Sequence, residues 1–142
     1  MKQYLFGLFS ILLVTPLPAQ TITGKWKSID DKTGEVKSIV EITERGAKLF
    51  GKIIKIFPKP NEDQDPVCTE CPTVDDRYNK KILGLEIIRD MKKDDDGYAG
   101  GHILDPEVGK IYRCKLWIEE GTLKVRGYLG PFFRTQTWQR VP

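Results

Sequence analysis

The sequence predicts an all-β fold: a single antiparallel up-and-down β-barrel of about eight strands, with a two-sheet β-sandwich as the alternative. Three observations predict it. No window of the chain carries apolar residues at a sustained i, i+3, i+4, i+7 spacing with caps, so helix signals are nearly absent. Short runs of alternating apolar and polar residues recur instead. Turn residues punctuate those runs at short intervals. A meander of this length closes most simply into a barrel, which removes exposed sheet edges. An eight-strand barrel just fills its interior or holds one small ligand.

Each element has its own justification. Gly24 to Ile29 reads as a first strand, ended by the turn Asp30-Asp31-Lys32-Thr33-Gly34. Glu35 to Thr43 alternates cleanly, with Val36, Val40 and Ile42 on one face and Lys37 and Glu41 on the other. After the Glu44-Arg45-Gly46 turn, Ala47 to Phe57 is a third strand, with a bulge expected at Gly51. Ile82 to Met91 is apolar enough for a buried strand, with a short helix as the other option. Lys92 to Gly97 ends in Asp96-Gly97, a hairpin signal. Tyr98 to Leu104 follows, then the tight turn Asp105-Pro106-Glu107-Val108-Gly109. Lys110 to Ile118 sets Tyr112, Cys114, Leu116 and Ile118 against Arg113, Lys115 and Trp117. Thr122 to Leu129 and Phe132 to Val141 complete the set.

Residues 58–79 break the pattern. They hold Pro58, Pro60, Pro66 and Pro72, six acidic residues, and the pair Cys68 and Cys71. They read as one long surface loop, a length that is uncommon and often functional. A solvated insertion pinned by a disulfide is the expectation.

At the N-terminus, Lys2 precedes the apolar run Tyr4 to Val14, and Pro16, Leu17, Pro18 and Ala19 follow. This is the pattern of a secretory signal peptide over residues 1–19, cut after Ala19 or, alternatively, Gln20. The run is too short for a membrane helix, which needs roughly 20 apolar residues. Residues 20–142 then form one domain with no membrane span, exported to the periplasm or the medium. Removing Lys2 with the leader lowers the net charge from +3 to +2. Lysines and acids alternate without a basic stripe, which argues against nucleic acid.

Gly24-Lys25-Trp26 resembles the Gly-x-Trp start of lipocalins and other calycin barrels. The resemblance implies structural roles: Trp26 plugging one barrel end, and Arg140 packing across it by cation–π contact. A second resemblance spans almost the whole mature chain. It rests on Ser38-Ile39-Val40-Glu41-Ile42, Gly51-Lys52-Ile53, Cys68-x-x-Cys71, Gly84-Leu85-Glu86-Ile87 and Gly100 through Pro106. It continues through Gly109 to Leu116, Leu123 to Gly130 and Arg134 to Val141. Together these are similar to the bacterial secreted family called domain of unknown function 2147. That resemblance implies an exported, compact β-rich domain and brings no activity.

Candidate chemistry is sparse. Export implies an oxidising compartment and at least one disulfide. Three cysteines cannot all pair within one chain, so Cys68 with Cys71, or either with Cys114, stay open as options. A thiol-redox role for Cys68 and Cys71 lacks the helix start that would lower a thiol pKa. Zinc would need a second ligand pair, and only Cys114 and His102 are on offer. Asp94-Asp95-Asp96-Gly97 lacks the rest of a calcium loop and reads as a hairpin turn. No metal, cofactor or catalytic residue is expected. The leading expectation is a monomeric, non-enzymatic binding domain for a small amphipathic or anionic ligand. By strand parity its lining candidates are Tyr98, His102, Tyr112, Arg134 and Trp138. The alternatives are an envelope structural or protein-interaction module with a filled barrel, and last a redox protein using Cys68 and Cys71.

Overall fold

A computed structural model describes residues 3, 7, 10–14 and 21–142. Most of the expected leader, including the expected cut at Ala19 or Gln20, lies outside the described residues. Eight strands form one closed antiparallel barrel in sequence order: β1 Gly24–Ile29, β2 Val36–Arg45, β3 Lys48–Ile56, β4 Glu86–Lys93, β5 Gly97–Asp105, β6 Lys110–Glu119, β7 Thr122–Leu129 and β8 Phe132–Arg140. Among the described residues there is no helix. β1 closes on β8 through two register pairs, Trp26 with Arg140 and Lys27 with Gln139. The Val141 amide adds a hydrogen bond to the Lys25 carbonyl at 2.9 Å.

The alternation in the sequence becomes the inside and outside of this wall. Trp26, Val40 and Ile53 sit opposite one another on β1, β2 and β3 and point inward. Cys114, Leu116, Leu123, Val125 and Trp138 continue the inner surface round β6, β7 and β8. Burial of these side chains is the main force holding the wall closed. At Gly51 the β3–β4 register shifts, as a bulge there predicts. The missing side chain makes room for Ile88, whose Cβ would lie 3.0 Å from a Cβ at Gly51.

One strand differs from the sequence reading. The run expected as a strand or short helix over 82–91 is split: β4 begins at Glu86, and Ile82 to Leu85 belong to the connection. Ile82 and Leu85 are apolar because they pack against the core from a turn, which periodicity alone does not separate from a strand. The turn is tied back by hydrogen bonds from the Ile82 amide to the Pro66 carbonyl, 2.9 Å, and from the Gly84 amide to the Ile53 carbonyl, 2.7 Å.

The connection between β3 and β4 therefore runs over residues 57–85, and it is anchored rather than merely solvated. Cys68 and Cys71 form the disulfide, both buried. Arg77 is the one buried charged side chain among the described residues. It grips Asp75 with two hydrogen bonds of 2.8 Å and the Glu86 carbonyl at the start of β4 with a third of 2.9 Å. Asp76 forms a second two-pronged pair with Arg89 of β4, at 2.7 and 2.9 Å. The β5–β6 turn presses on the same connection. Gly109 has φ +70°, and a Cβ there would overlap the Glu70 carbonyl. Only glycine satisfies both constraints.

Candidate functional site

Strand direction separates the barrel into a plugged end and an open end. At the plugged end Trp26 is fully buried, and its Nε1 donates to the Ile22 carbonyl at 2.8 Å. The Arg140 guanidinium carbon lies 4.1 Å from the centre of the Trp26 ring. Arg140 also donates to the carbonyls of Thr21 and Thr23, which straps the segment before β1 across the barrel end. Leu49, Met91, Leu116 and Leu123 are buried in the same half of the barrel.

At the open end the interior is not filled. A cavity of about 570 Å³ runs from the mouth down to Trp138. Its walls include Ile53, Ile56, Ile103 and Val125. Ser28 and Ser38 add the only buried hydroxyls among the described residues, hydrogen-bonded to each other at 2.7 Å. Tyr112, Gln136 and Trp138 complete the inner surface, with the Trp138 Nε1 donating to the Gln136 Oε1 at 2.9 Å. Gly127 leaves the wall open beside Tyr112, where a Cβ would lie 3.3 Å from the Tyr112 Cβ.

The mouth is charged. Arg134, at the start of β8, holds Asp31 through its Nε at 2.7 Å to each carboxylate oxygen, with Asp30 at 4.0 Å. The hydrogen bond from Arg134 keeps the Asp31 carboxyl below the usual carboxylate range. Asp30 is lowered too, chiefly by the backbone amides of Lys32 and Thr33. Lys37 pairs with Glu107 at 3.4 Å and Lys59 with Glu35 at 3.8 Å. Glu62, Asp63 and Glu70 reach the rim from the anchored connection.

Of the five residues expected to line a ligand site, the structure brings Tyr112, Arg134 and Trp138 to this cavity. Tyr98 and His102 are not among its lining residues. Tyr98 is half-buried toward the plugged end, with the Lys93 ammonium 5.3 Å from its ring. His102 is exposed on the outer face, register-paired with Arg113. The cause is local. β5 shifts register between Tyr98 and Gly101, and Gly100 in that step has φ +77°. Simple alternation carried across this kink assigns His102 to the wrong side of the sheet. Arg113, Arg126, Tyr128 and Phe133 also face outward, where the Arg126 guanidinium lies 4.5 Å from the Phe133 ring centre and 4.9 Å from that of Trp117.

Sequence reasoning missed Ser28, Ser38, Ile56 and Gln136. Ser38 carried a signal: it falls on the apolar face of its strand with Val36, Val40 and Ile42. A lone hydroxyl on an apolar face points either to a satisfied polar pair or to a cavity wall.

Among the described residues no group of three or more His, Cys, Asp or Glu side chains is placed to hold a metal ion. Cys114 is a free, buried thiol, and burial pushes it up to about 12. A thiolate is the reactive form, so this group is inert at neutral pH. The expected titration follows. The native protein shows no reactive thiol, denaturation exposes one, and denaturation with reductant exposes all three cysteines. A reactive thiol in the native state, assayed with a chromogenic disulfide reagent, would contradict it.

A solved structure shows the same architecture. The chain is similar to protein HP1028 from the human pathogen Helicobacter pylori, described as belonging to the lipocalin family, with a TM-score of 0.70 and 20% identity. That match covers 86% of this chain and 84% of the other. It establishes the lipocalin-like fold. No curated protein sequence matches the chain. A family described as uncharacterized protein conserved in bacteria (DUF2147) matches residues 24–140, from the glycine that opens β1 to the arginine that closes β8, and the chain belongs to that family.

Proposed function

We propose that the domain is a non-enzymatic binding protein that holds one small, largely apolar molecule in the barrel, its polar end at the mouth. The observation that supports this reading is the cavity of about 570 Å³ above a plugged base. Small-molecule sites are concave and mostly apolar with a few placed polar groups, and begin at roughly 300 Å³. A barrel serving only as a structural module would be packed along its whole length. The buried Cys68–Cys71 bridge, reached by no exposed thiol among the described residues, favours a structural over a redox role. The same bridge supports a site of action outside the cytoplasm, after removal of residues 1–19.

The test is binding of a neutral apolar fluorophore, N-phenyl-1-naphthylamine. Its emission is expected to rise on addition of the protein. Ile56→Trp places a bulkier side chain in the cavity wall and is expected to weaken binding by about tenfold or more. The circular-dichroism spectrum should remain that of the parent. No fluorescence change, or unaltered binding to Ile56→Trp, would overturn the reading.

A further inference from the structure

The charge at the mouth bears on which molecule enters, an inference that rests on the binding reading above. Three cations line the cavity, Lys37, Lys59 and Arg134. Each is already held by a carboxylate: Glu107 at 3.4 Å, Glu35 at 3.8 Å and Asp31 at 2.7 Å respectively. An anionic ligand group would have to displace one of these partners and would gain only the difference. Four further carboxylates of the lining, Glu62, Asp63, Glu70 and Asp105, have no cation within 4.0 Å among the described residues. The rim thus carries uncompensated negative charge on a chain whose net charge is +3.

The deeper wall holds no cation, and its donors beyond the serines are the neutral Tyr112 hydroxyl and Gln136 amide. Ser28 and Ser38 satisfy each other, and Ser28 also donates toward the Ser38 carbonyl at 3.3 Å. Apolar walls of low dielectric beside a charged rim concentrate the field in the opening. We infer that the cavity takes a cationic amphiphile, its apolar tail against Ile53, Ile56, Ile103 and Val125 and its ammonium-type group among the rim carboxylates. This reverses the anionic preference that Arg134 suggests from sequence, because Asp31 and Asp30 consume that charge.

Three probes of equal chain length separate the terms, measured calorimetrically below their micellar concentrations: dodecylammonium, dodecanol and dodecanoate. Dodecylammonium is expected to bind tighter than dodecanoate by about tenfold or more at low salt, and the gap should narrow as salt screens the rim. Replacing three exposed rim carboxylates together, Glu62→Gln, Asp63→Asn and Glu70→Gln, should shrink the gap and leave dodecanol unchanged. Ile56→Trp should weaken all three probes. Dodecanoate binding as tightly as dodecylammonium overturns the charge selection and leaves the cavity reading intact. Binding of none of the three overturns both. Unaltered dodecylammonium binding to Ile56→Trp places the amine on surface carboxylates and overturns the inference.

Discussion

Trp26→Ala is expected to lower folding stability by about 3–5 kcal/mol, the cost of emptying a fully buried aromatic site. Three losses coincide there. The ring leaves a void between β1, β2 and β8. The Ile22 carbonyl loses the indole donor that satisfies it at 2.8 Å. Arg140 loses the ring over which it is stacked at 4.1 Å. Urea denaturation measures the sum. A double-mutant cycle isolates the stacking: Arg140→Ala should cost less in the Trp26→Ala background than alone. A loss under about 1 kcal/mol for Trp26→Ala would show that the plug is dispensable, against the cavity costs seen for large core side chains.

Arg77→Ala is expected to be of similar size, about 3–5 kcal/mol, because it removes a buried guanidinium and strands a largely covered carboxylate. The side chain is 7% exposed and its partner Asp75 13%. Removing the guanidinium leaves the Asp75 carboxylate without two hydrogen bonds and the Glu86 carbonyl without one. The same variant alters the response to acid. Arg77 holds the Asp75 carboxyl well below its ordinary value, as the hydrogen bonds to the charged form require. A carboxyl lowered in the folded state contributes stability that is complete above its unfolded pKa, about 3.9, and is lost as pH falls through the folded value. Asp31 and Asp76, lowered by Arg134 and Arg89, act in the same direction. The parent protein should therefore lose stability as pH drops below about 4, and Arg77→Ala should show a shallower loss over that range. An unchanged acid limb would mean that the pair is not formed in solution.

These two residues show what the sequence discloses and what it hides. Trp26 and Arg140 are legible because the Gly-x-Trp start and a basic residue near the chain end are local patterns with a fixed geometry behind them. The eight strands are legible because alternation and turn residues are also local. Arg77 is not. In sequence it stands among Asp75, Asp76 and several prolines, and such a stretch resembles any solvated loop. Its burial depends on Glu86 arriving beside it, a tertiary fact. His102 is hidden for another reason. Strand parity is reliable only until a register shift, and the Gly100 step supplies one. Arg134 lies at the cavity, and nothing local reveals that Asp31 pairs with it there.

The closure of the barrel also orders events in time. Every other strand pair joins neighbours in sequence, whereas β1 meets β8 across the whole length of the barrel sequence, Trp26 to Arg140. Bringing such distant segments together carries the largest loop-closure entropy of any pairing in the molecule. During synthesis the growing chain is an open ribbon, with the free margins of β1 and of the newest strand both unpaired. Until its final dozen or so residues emerge it has no inside, and so no pocket. A chain cut short before β8 is then an open sheet with two unpaired edges, each a template for pairing with another chain.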